Sequence, residues 1–306
     1  MSGTGAVPAQ HDAVDTTAAA LMVFLTFSWG LNFVAAKLSY PGFSPVFLSV
    51  GRSIIGGLLV LAWCRWRGNA LFRRDGTLPA GMLVGALFGV EFLFLYLGLE
   101  RTTVARNTLL FNTMPFWILL LAHFLLGERI TRRKLCGLAL AFAGLVAMFF
   151  DQLGGNMGTM LVGDMLSLLA GSLWALSNVV IKRSSLARIS AEKTLLYQLA
   201  GAIVVGLLVL PLDEAPVRAV STVPILALLF QGAYIVGFSY VLWFWMLTRY
   251  PASSLANFVF LSPVFGVLCG AIFLGEPLTA RIFVALALIA AGLLLVSRPG
   301  RRQLPA

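Results

Sequence analysis

One pattern is written twice in this chain. Trp29-Gly30-Leu31-Asn32, running on to Lys37, returns 145 residues later as Trp174-Ala175-Leu176-Ser177-Asn178, running on to Lys182. Further along, Pro115, Leu126-Gly127-Glu128 and Thr131 return 148 residues later as Pro263, Leu274-Gly275-Glu276 and Thr279. Arg101/Arg249, Arg133/Arg281 and Gly144/Gly292 keep that second offset. The fold therefore has to be assembled from two copies of one unit. Two apolar bundles with a proline at matching depth in each copy form the sequence pattern of a secondary transporter built from repeats.

The surroundings of these motifs say where the units reside. Apolar residues make up 59% of the chain and charged residues 11%, whereas a soluble domain has about 45–50% and about 25%. The chain reads as an integral membrane protein with the lipid bilayer as its solvent. Its net charge of +10 invites a nucleic-acid partner. That partner is excluded, because the basic residues sit in short loops between apolar spans, where positive charge sets membrane orientation. Cys64, Cys136 and Cys269 have no close spacing, so neither a disulfide framework nor a metal site is expected. Residues 1–17 are polar and carry no Lys or Arg. They read as a short disordered tail before a retained first helix, not as a signal peptide.

A helix needs about 20 apolar residues to cross about 30 Å of hydrocarbon. Ten segments qualify: 18–37, 46–64, 80–99, 104–126, 133–150, 162–182, 193–211, 223–247, 253–274 and 279–297. The first repeat is then 18–150, the second 162–297, and 298–306 forms a basic tail. With the N-terminus in the cytoplasm, the inner loops hold Arg65, Arg67, Arg73, Arg74, Arg129, Arg132, Arg133, Lys134, Lys182, Arg183, Arg188, Lys193, Arg249, Arg298, Arg301 and Arg302. The outer side holds Lys37, Arg101, Arg106, Arg218 and Arg281. This bias of 16 to 5 places both termini inside. Five helices per repeat is an odd number, so the second repeat runs inverted relative to the first. Inverted repeats share a site at the midplane and alternate its access by rocking one half against the other.

The Trp29–Lys37 pattern, the stretch "MPFWILLLAHFLLGERIT" and its echo "LSPVFGVLCGAIFLGEPLT" resemble the EamA-type branch of the drug/metabolite transporter superfamily, over nearly the whole chain. The resemblance implies an all-α membrane fold of ten helices in two inverted five-helix repeats around a central cavity. Helices 1, 3, 4, 6, 8 and 9 would line that cavity, with helices 5 and 10 peripheral. It also implies export of small metabolites, amino acids among them. The second copy departs from the first in one loop position, with Pro277 in place of Arg129.

Glu91 is the acid, among twelve, that falls deep inside a span. An ionisable group there costs several kcal/mol unless it faces a cavity or a partner. It either binds a substrate amine, carries a proton, or forms a structural ion pair with Arg52, which lies at a similar depth on helix 2. Neither charge recurs in the second repeat, where Ser239 and Gln198 occupy the related positions. On helices 1 and 6, Trp29 shares a face with Asn32, and Trp174 with Ser177 and Asn178. They hold a solute in the cavity or act as hydrogen-bonding glue between helices. Tyr234 and Tyr240 on helix 8 lie toward the helix centre, away from the interfacial aromatic belts, and with Tyr96 on helix 3 join the substrate-binding candidates. Tyr240, Trp243 and Phe244 form an aromatic stripe, a feature of packing as well as of binding. Asn112 and Asn257 lie near Pro115 and Pro263. Each proline removes a backbone hydrogen bond, so the pair marks either hinges or static kinks. Glu128 and Glu276, at span ends, are expected to meet basic side chains or to cap a helix.

The leading reading is a secondary transporter that exports a small amphipathic metabolite, such as an amino acid, with no cofactor. A homodimer is an arrangement open to such a chain. A polytopic membrane enzyme would need a nucleophile–base pair or metal ligands near a membrane face, and the chain has two histidines, no His-Glu-x-x-His and no Gly-rich phosphate loop. A channel usually builds its pore by symmetry around several chains or with re-entrant loops, and no re-entrant segment stands out; a non-transporting membrane scaffold stays open as an alternative.

Overall fold

The computed structural model describes residues 15–68, 71, 75–126, 130–149, 158–250, 255, 258–259 and 261–297. Of the tails expected at 1–17 and 298–306, residues 1–14 and 298–306 lie outside these residues, as does the Gly127-Glu128 pair, and Thr16 and Thr17 already belong to the first helix.

The described chain is helical throughout and follows the ten expected spans. They are α1 (Thr16–Ser39), α2 (Pro45–Trp66), α3 (Leu78–Arg101), α4 in two segments (Val104–Phe111 and Met114–Leu126), α5 (Arg132–Phe149), α6 (Thr159–Arg183) and α7 (Ala191–Val209). Then come α8 in three segments (Thr222–Leu229, Phe230–Ser239 and Tyr240–Arg249), α9 (Leu261–Leu274) and α10 (Ala280–Ser297). Among the described residues, seven helices are long and apolar enough to cross a membrane. Four of their starts, those of α1, α2, α4 and α7, are set by side-chain caps. Asp15 accepts from Ala18 N–H at 2.7 Å, Ser44 from Phe47 N–H at 3.1 Å ahead of Pro45, Thr103 from Arg106 N–H at 3.2 Å, and Ser190 from Lys193 N–H at 3.3 Å. Each satisfies a donor the helix itself leaves orphaned.

Helices pack by exchange between the repeats. α1 lies on α9 and α4 on α6; α3 lies on α6 and α1 on α8; α3 lies on α7 and α2 on α8. Each of these contacts is the image of its partner when the five helices of one repeat are matched to those of the other. The self-matched contacts, α2 on α7, α4 on α9 and α5 on α10, close the set. α5 and α10 pack chiefly on each other and stay peripheral. Hydrophobicity gives little drive to join helices in lipid, so close backbone approach carries much of the association. At the α3–α7 crossing a Cβ added to Gly201 would sit 2.1 Å from the Gly85 backbone. The small-residue spacing Gly81, Gly85, Gly89 thus serves packing.

Two helices depart from regular winding. α4 breaks at Asn112–Thr113, just before Pro115. Proline has no N–H to offer the Phe111 carbonyl, and that oxygen lies 2.7 Å from where a side chain on Gly171 would begin. The Asn112 amide and the Thr113 hydroxyl fold back on the Thr108 and Leu110 carbonyls, at 2.8 and 2.6 Å. α8 winds as a π-helix over Phe230–Ser239, a stretch expected from the sequence to be ordinary α-helix. Such segments are rare and concentrate at functional sites.

Candidate functional site

We call the end where α1 starts and α10 finishes the terminal end, and the opposite one the distal end. A cavity of about 290 Å3 lies between the repeats. Its walls come from α1 (Trp29, Asn32, Phe33), α3 (Phe88, Glu91, Phe92, Leu95), the α4 break (Phe111, Asn112, Met114), α6 (Trp174), α8 (Ile235, Tyr240, Trp243) and α9 (Ser262), with Arg52 reaching in from α2. A second cavity of about 400 Å3 shares Phe88, Trp174, Tyr240 and Trp243 with the first and runs to the α6–α7 connection at the terminal end, past Asn178, Thr194 and Gln198.

The expected site residues divide by position. Trp29, Asn32, Glu91, Asn112, Trp174 and Tyr240 meet around the first cavity, and Asn178 lines the second. Tyr96 lies behind the wall and holds Arg52. Ser177 is fully buried, and its hydroxyl has no hydrogen-bond partner. Tyr234 is turned elsewhere. Its hydroxyl meets Ser28 at 2.8 Å, and its ring stacks between Phe230 and the exposed Phe238. Six residues separate Tyr234 from Tyr240, so they do not share a helix face. Asn257 lies outside the described residues. Pro263 falls in the first described turn of α9 and is buried.

The chemistry concentrates at Glu91 and Arg52. Glu91 is fully buried, and neither carboxylate oxygen has a hydrogen-bond donor. Arg52 is 1% exposed. Its Nη1 donates to the Tyr96 hydroxyl at 2.9 Å, and its guanidinium lies 4.1 Å from the centre of the Phe92 ring, while Nε has no partner. The two charges share one cavity without the ion pair within 4.0 Å that a structural pairing of Glu91 with Arg52 requires. Arg52 is instead held by a buried chain: Tyr96 donates to Gln231 Oε1 at 2.9 Å, and Gln231 Nε2 donates to Ser39 Oγ at 3.0 Å and to the Ala227 carbonyl at 3.1 Å. Gln231 sits in the π-wound segment, and Ser39 in the last turn of α1. On the opposite wall, Trp29 Nε1 donates to Ser239 Oγ at 3.1 Å, with the Trp243 ring edge-on to Trp29.

The distal end is sealed. Phe43 and Val217 form an isolated antiparallel bridge; Ser44 N–H donates to the Pro216 carbonyl at 3.0 Å and Arg218 N–H to the Gly42 carbonyl at 2.8 Å. The Arg218 side chain reaches the Tyr40 carbonyl at 3.1 Å and Glu100 at 2.9 Å. Below this strap, Lys37 donates to the Leu99 and Thr102 carbonyls. Asp164, fully buried, takes Arg106 on both oxygens and the Thr102 hydroxyl at 2.7 Å. Asp164 is thus a second buried acid beside Glu91. Its place near the start of the expected 162–182 span hid this in the sequence; in α6 it stands in the second turn. Leu274-Gly275-Glu276 acts here as one device. Gly275 takes the left-handed φ of 65° that ends α9, as glycine commonly does after a helix. Glu276 is thereby turned onto the start of α4, accepting from Val104 N–H at 2.7 Å and Ala105 N–H at 3.1 Å.

Comparison with known proteins joins this geometry to a family. The EamA-like transporter family matches residues 16–150 and again 161–298. The chain belongs to that family. It is 29% identical over 301 residues to "Uncharacterized transporter YvbV" of Bacillus subtilis, covering 94% of both chains. It is 28% identical over 287 residues to "Probable amino-acid metabolite efflux pump" of Escherichia coli, covering 89% of this chain and 92% of that one. A crystal structure 22% identical in sequence matches with a TM-score of 0.65 over 92% of this chain and 96% of the other; at that identity the likeness is one of fold. As an EamA transporter the chain is a multi-pass membrane protein, and its relatives are named for transport, not for catalysis. The aromatic walls were legible as spacing: Phe88, Glu91, Phe92 and Leu95 stand at i, i+3, i+4 and i+7, one stripe of α3.

Proposed function

We propose that this EamA transporter exports small amphipathic metabolites, amino acids among them, by alternating access, with both termini in the cytoplasm. The observation that carries the reading is the cavity between the repeats, sealed at the distal end and extended by a second cavity to the terminal end. That is the shape of a carrier resting with its site turned to one side. About 290 Å3 lies at the small end of ligand pockets, which favours a metabolite over a lipid or a large drug. The 16-to-5 distribution of basic residues puts the open end on the cytoplasmic side, where an exporter loads. Amino-acid metabolite efflux in the names of two relatives supports the cargo class. The α4 break and Pro263 serve in this reading as the points where α4 and α9 bend.

The test is efflux from proteoliposomes loaded with a panel of amino acids and related amines and acids, with and without a pH gradient. Export of at least one member, lost in protein-free vesicles, is the expected result. Pro115→Ala should lower the rate per folded molecule severalfold. A panel that never leaves the vesicles, from protein verified as folded, would overturn the reading.

A further inference from the structure

Resting on that reading, we propose that the cavity takes a zwitterion with an apolar body, its ammonium on Glu91 and its carboxylate on the Arg52 side.

Three observations lead there. First, Glu91 and Arg52 are the charged residues that line the cavity, and both come from the first repeat. Lys37 is committed to two carbonyls, and Arg106 and Asp164 to each other. Second, the two charges are left apart and incompletely satisfied. Both Glu91 oxygens and Arg52 Nε lack partners, as does Asn32 Oδ1 on the same wall. Buried polar atoms are normally paired, so these four form an incomplete set: three acceptors and one donor. An ammonium, with three donors and no acceptor, suits Glu91 and Asn32; a carboxylate, with acceptors only, suits the unpaired Nε of Arg52. Third, the rest of the wall is apolar and aromatic, with Trp29, Phe88, Trp174 and Trp243 available to an apolar side chain.

Electrostatics decides between a zwitterion and a simpler ion. With Glu91 ionised, the cavity walls offer a ligand one negative and one positive group. An amine lacking a carboxylate would pair with Glu91 and add a second cation beside Arg52. An acid lacking an amine would do the reverse. In a water-poor site an uncompensated charge is costly, while a zwitterion satisfies both poles and leaves the cavity neutral. Tyr96, Gln231 and Ser39 then have a role as positioning residues. They hold the Arg52 guanidinium against Phe92 and away from Glu91, keeping the gap open for the ligand.

The experiment uses the purified full-length protein and three compounds with one apolar body: phenylalanine, phenethylamine and 3-phenylpropionate, titrated by calorimetry. Phenylalanine should bind at least tenfold more tightly than either ion. Glu91→Gln should weaken phenylalanine and phenethylamine at least tenfold and spare 3-phenylpropionate; Arg52→Gln should show the converse. The double variant Glu91→Gln/Arg52→Gln, which contains neither buried charge, serves where a single variant does not fold. It should bind all three compounds with affinities within a few-fold. Equal binding of phenylalanine and phenethylamine by the parent would overturn the proposal, as would a zwitterion preference surviving in the double variant. If none of the three binds while the proteoliposome panel still moves some other solute, this inference fails and the transporter reading stands. If the panel moves nothing, both fall together.

Discussion

The α1–α2 connection at the distal end and the α6–α7 connection at the terminal end occupy equivalent places in the two repeats. The first, residues 40–44, is strapped to the α7–α8 loop by a backbone bridge and by Arg218. The second, residues 184–190, has only local backbone bonds among the described residues and forms the wall of an open cavity. Two halves of one ancestral pattern thus sit in different states. In the function proposed above, the repeat supplies two gates of similar plan, and local chemistry decides which one is shut. At the distal gate that chemistry is Arg218 with Glu100, Arg106 with Asp164, and Glu276 on the start of α4.

The strongest way to break this comparison is to remove Asp164. Arg106 would remain buried without its partner, a loss of about 3–5 kcal/mol. Asp164→Ala should lower the thermal unfolding midpoint in detergent by several degrees, and Asp164→Ala with Arg106→Leu should recover most of it. A single variant as stable as the parent would show that the pair does not hold the distal end.

A smaller effect sharpens the contrast between open and shut. In a background free of Cys64, Cys136 and Cys269, Thr194→Cys, beside the terminal-end cavity, should react quickly with a membrane-impermeant thiol reagent. Leu99→Cys, fully buried under the strap, should react at least tenfold more slowly. Adding Arg218→Ala should raise labelling at position 99 severalfold. Equal rates at the two positions in the parent would dissolve the distinction between the ends. Labelling of Thr194→Cys from outside intact cells would reverse the proposed orientation.

The smallest effect is at the terminal end itself. Asp75 receives Lys193 Nζ at 2.7 Å and the Thr77 hydroxyl at 2.6 Å. The Lys193 hydrogen bond, followed by that from Thr77, holds its carboxyl well below the ordinary aspartate range. A lowered carboxylate pKa stabilises the fold above the unfolded value, near pH 4, and that contribution is lost as pH falls toward the lowered one. Stability at this end should therefore not change between pH 8 and pH 5. Asp75→Asn should cost little and lose its effect in high salt, because the carboxylate is exposed to screening. A marked change in melting temperature across pH 8 to 5 that Asp75→Asn abolishes would contradict this.

Much of the molecule was legible before any coordinates. The ten spans follow from runs of apolar residues long enough to cross hydrocarbon, because in lipid a backbone has little choice but to close its own hydrogen bonds. The two repeats and the break near Pro115 follow from residues recurring at fixed offsets, and the meeting of Trp29, Asn32, Glu91 and Trp174 around one cavity from helical spacing and from the depth of Glu91 in its span. Tertiary structure decided the rest. That Tyr234 leaves the cavity while Tyr240 stays depends on the rotation of α8, and no local preference announced π winding at Phe230–Ser239. Asp164 looked like a helix-end residue until packing of α6 against α3 and α4 buried it on Arg106. Arg52 and Glu91 share a depth in the sequence, yet a hydrogen-bond chain through Tyr96, Gln231 and Ser39 holds Arg52 without an ion pair to Glu91. Sequence alone fixes which segments enter the membrane, since that is a transfer of single helices from water to lipid. Which face each helix then turns inward, and which end is shut, depends on contacts between residues more than a hundred positions apart, so only the assembled bundle decides it.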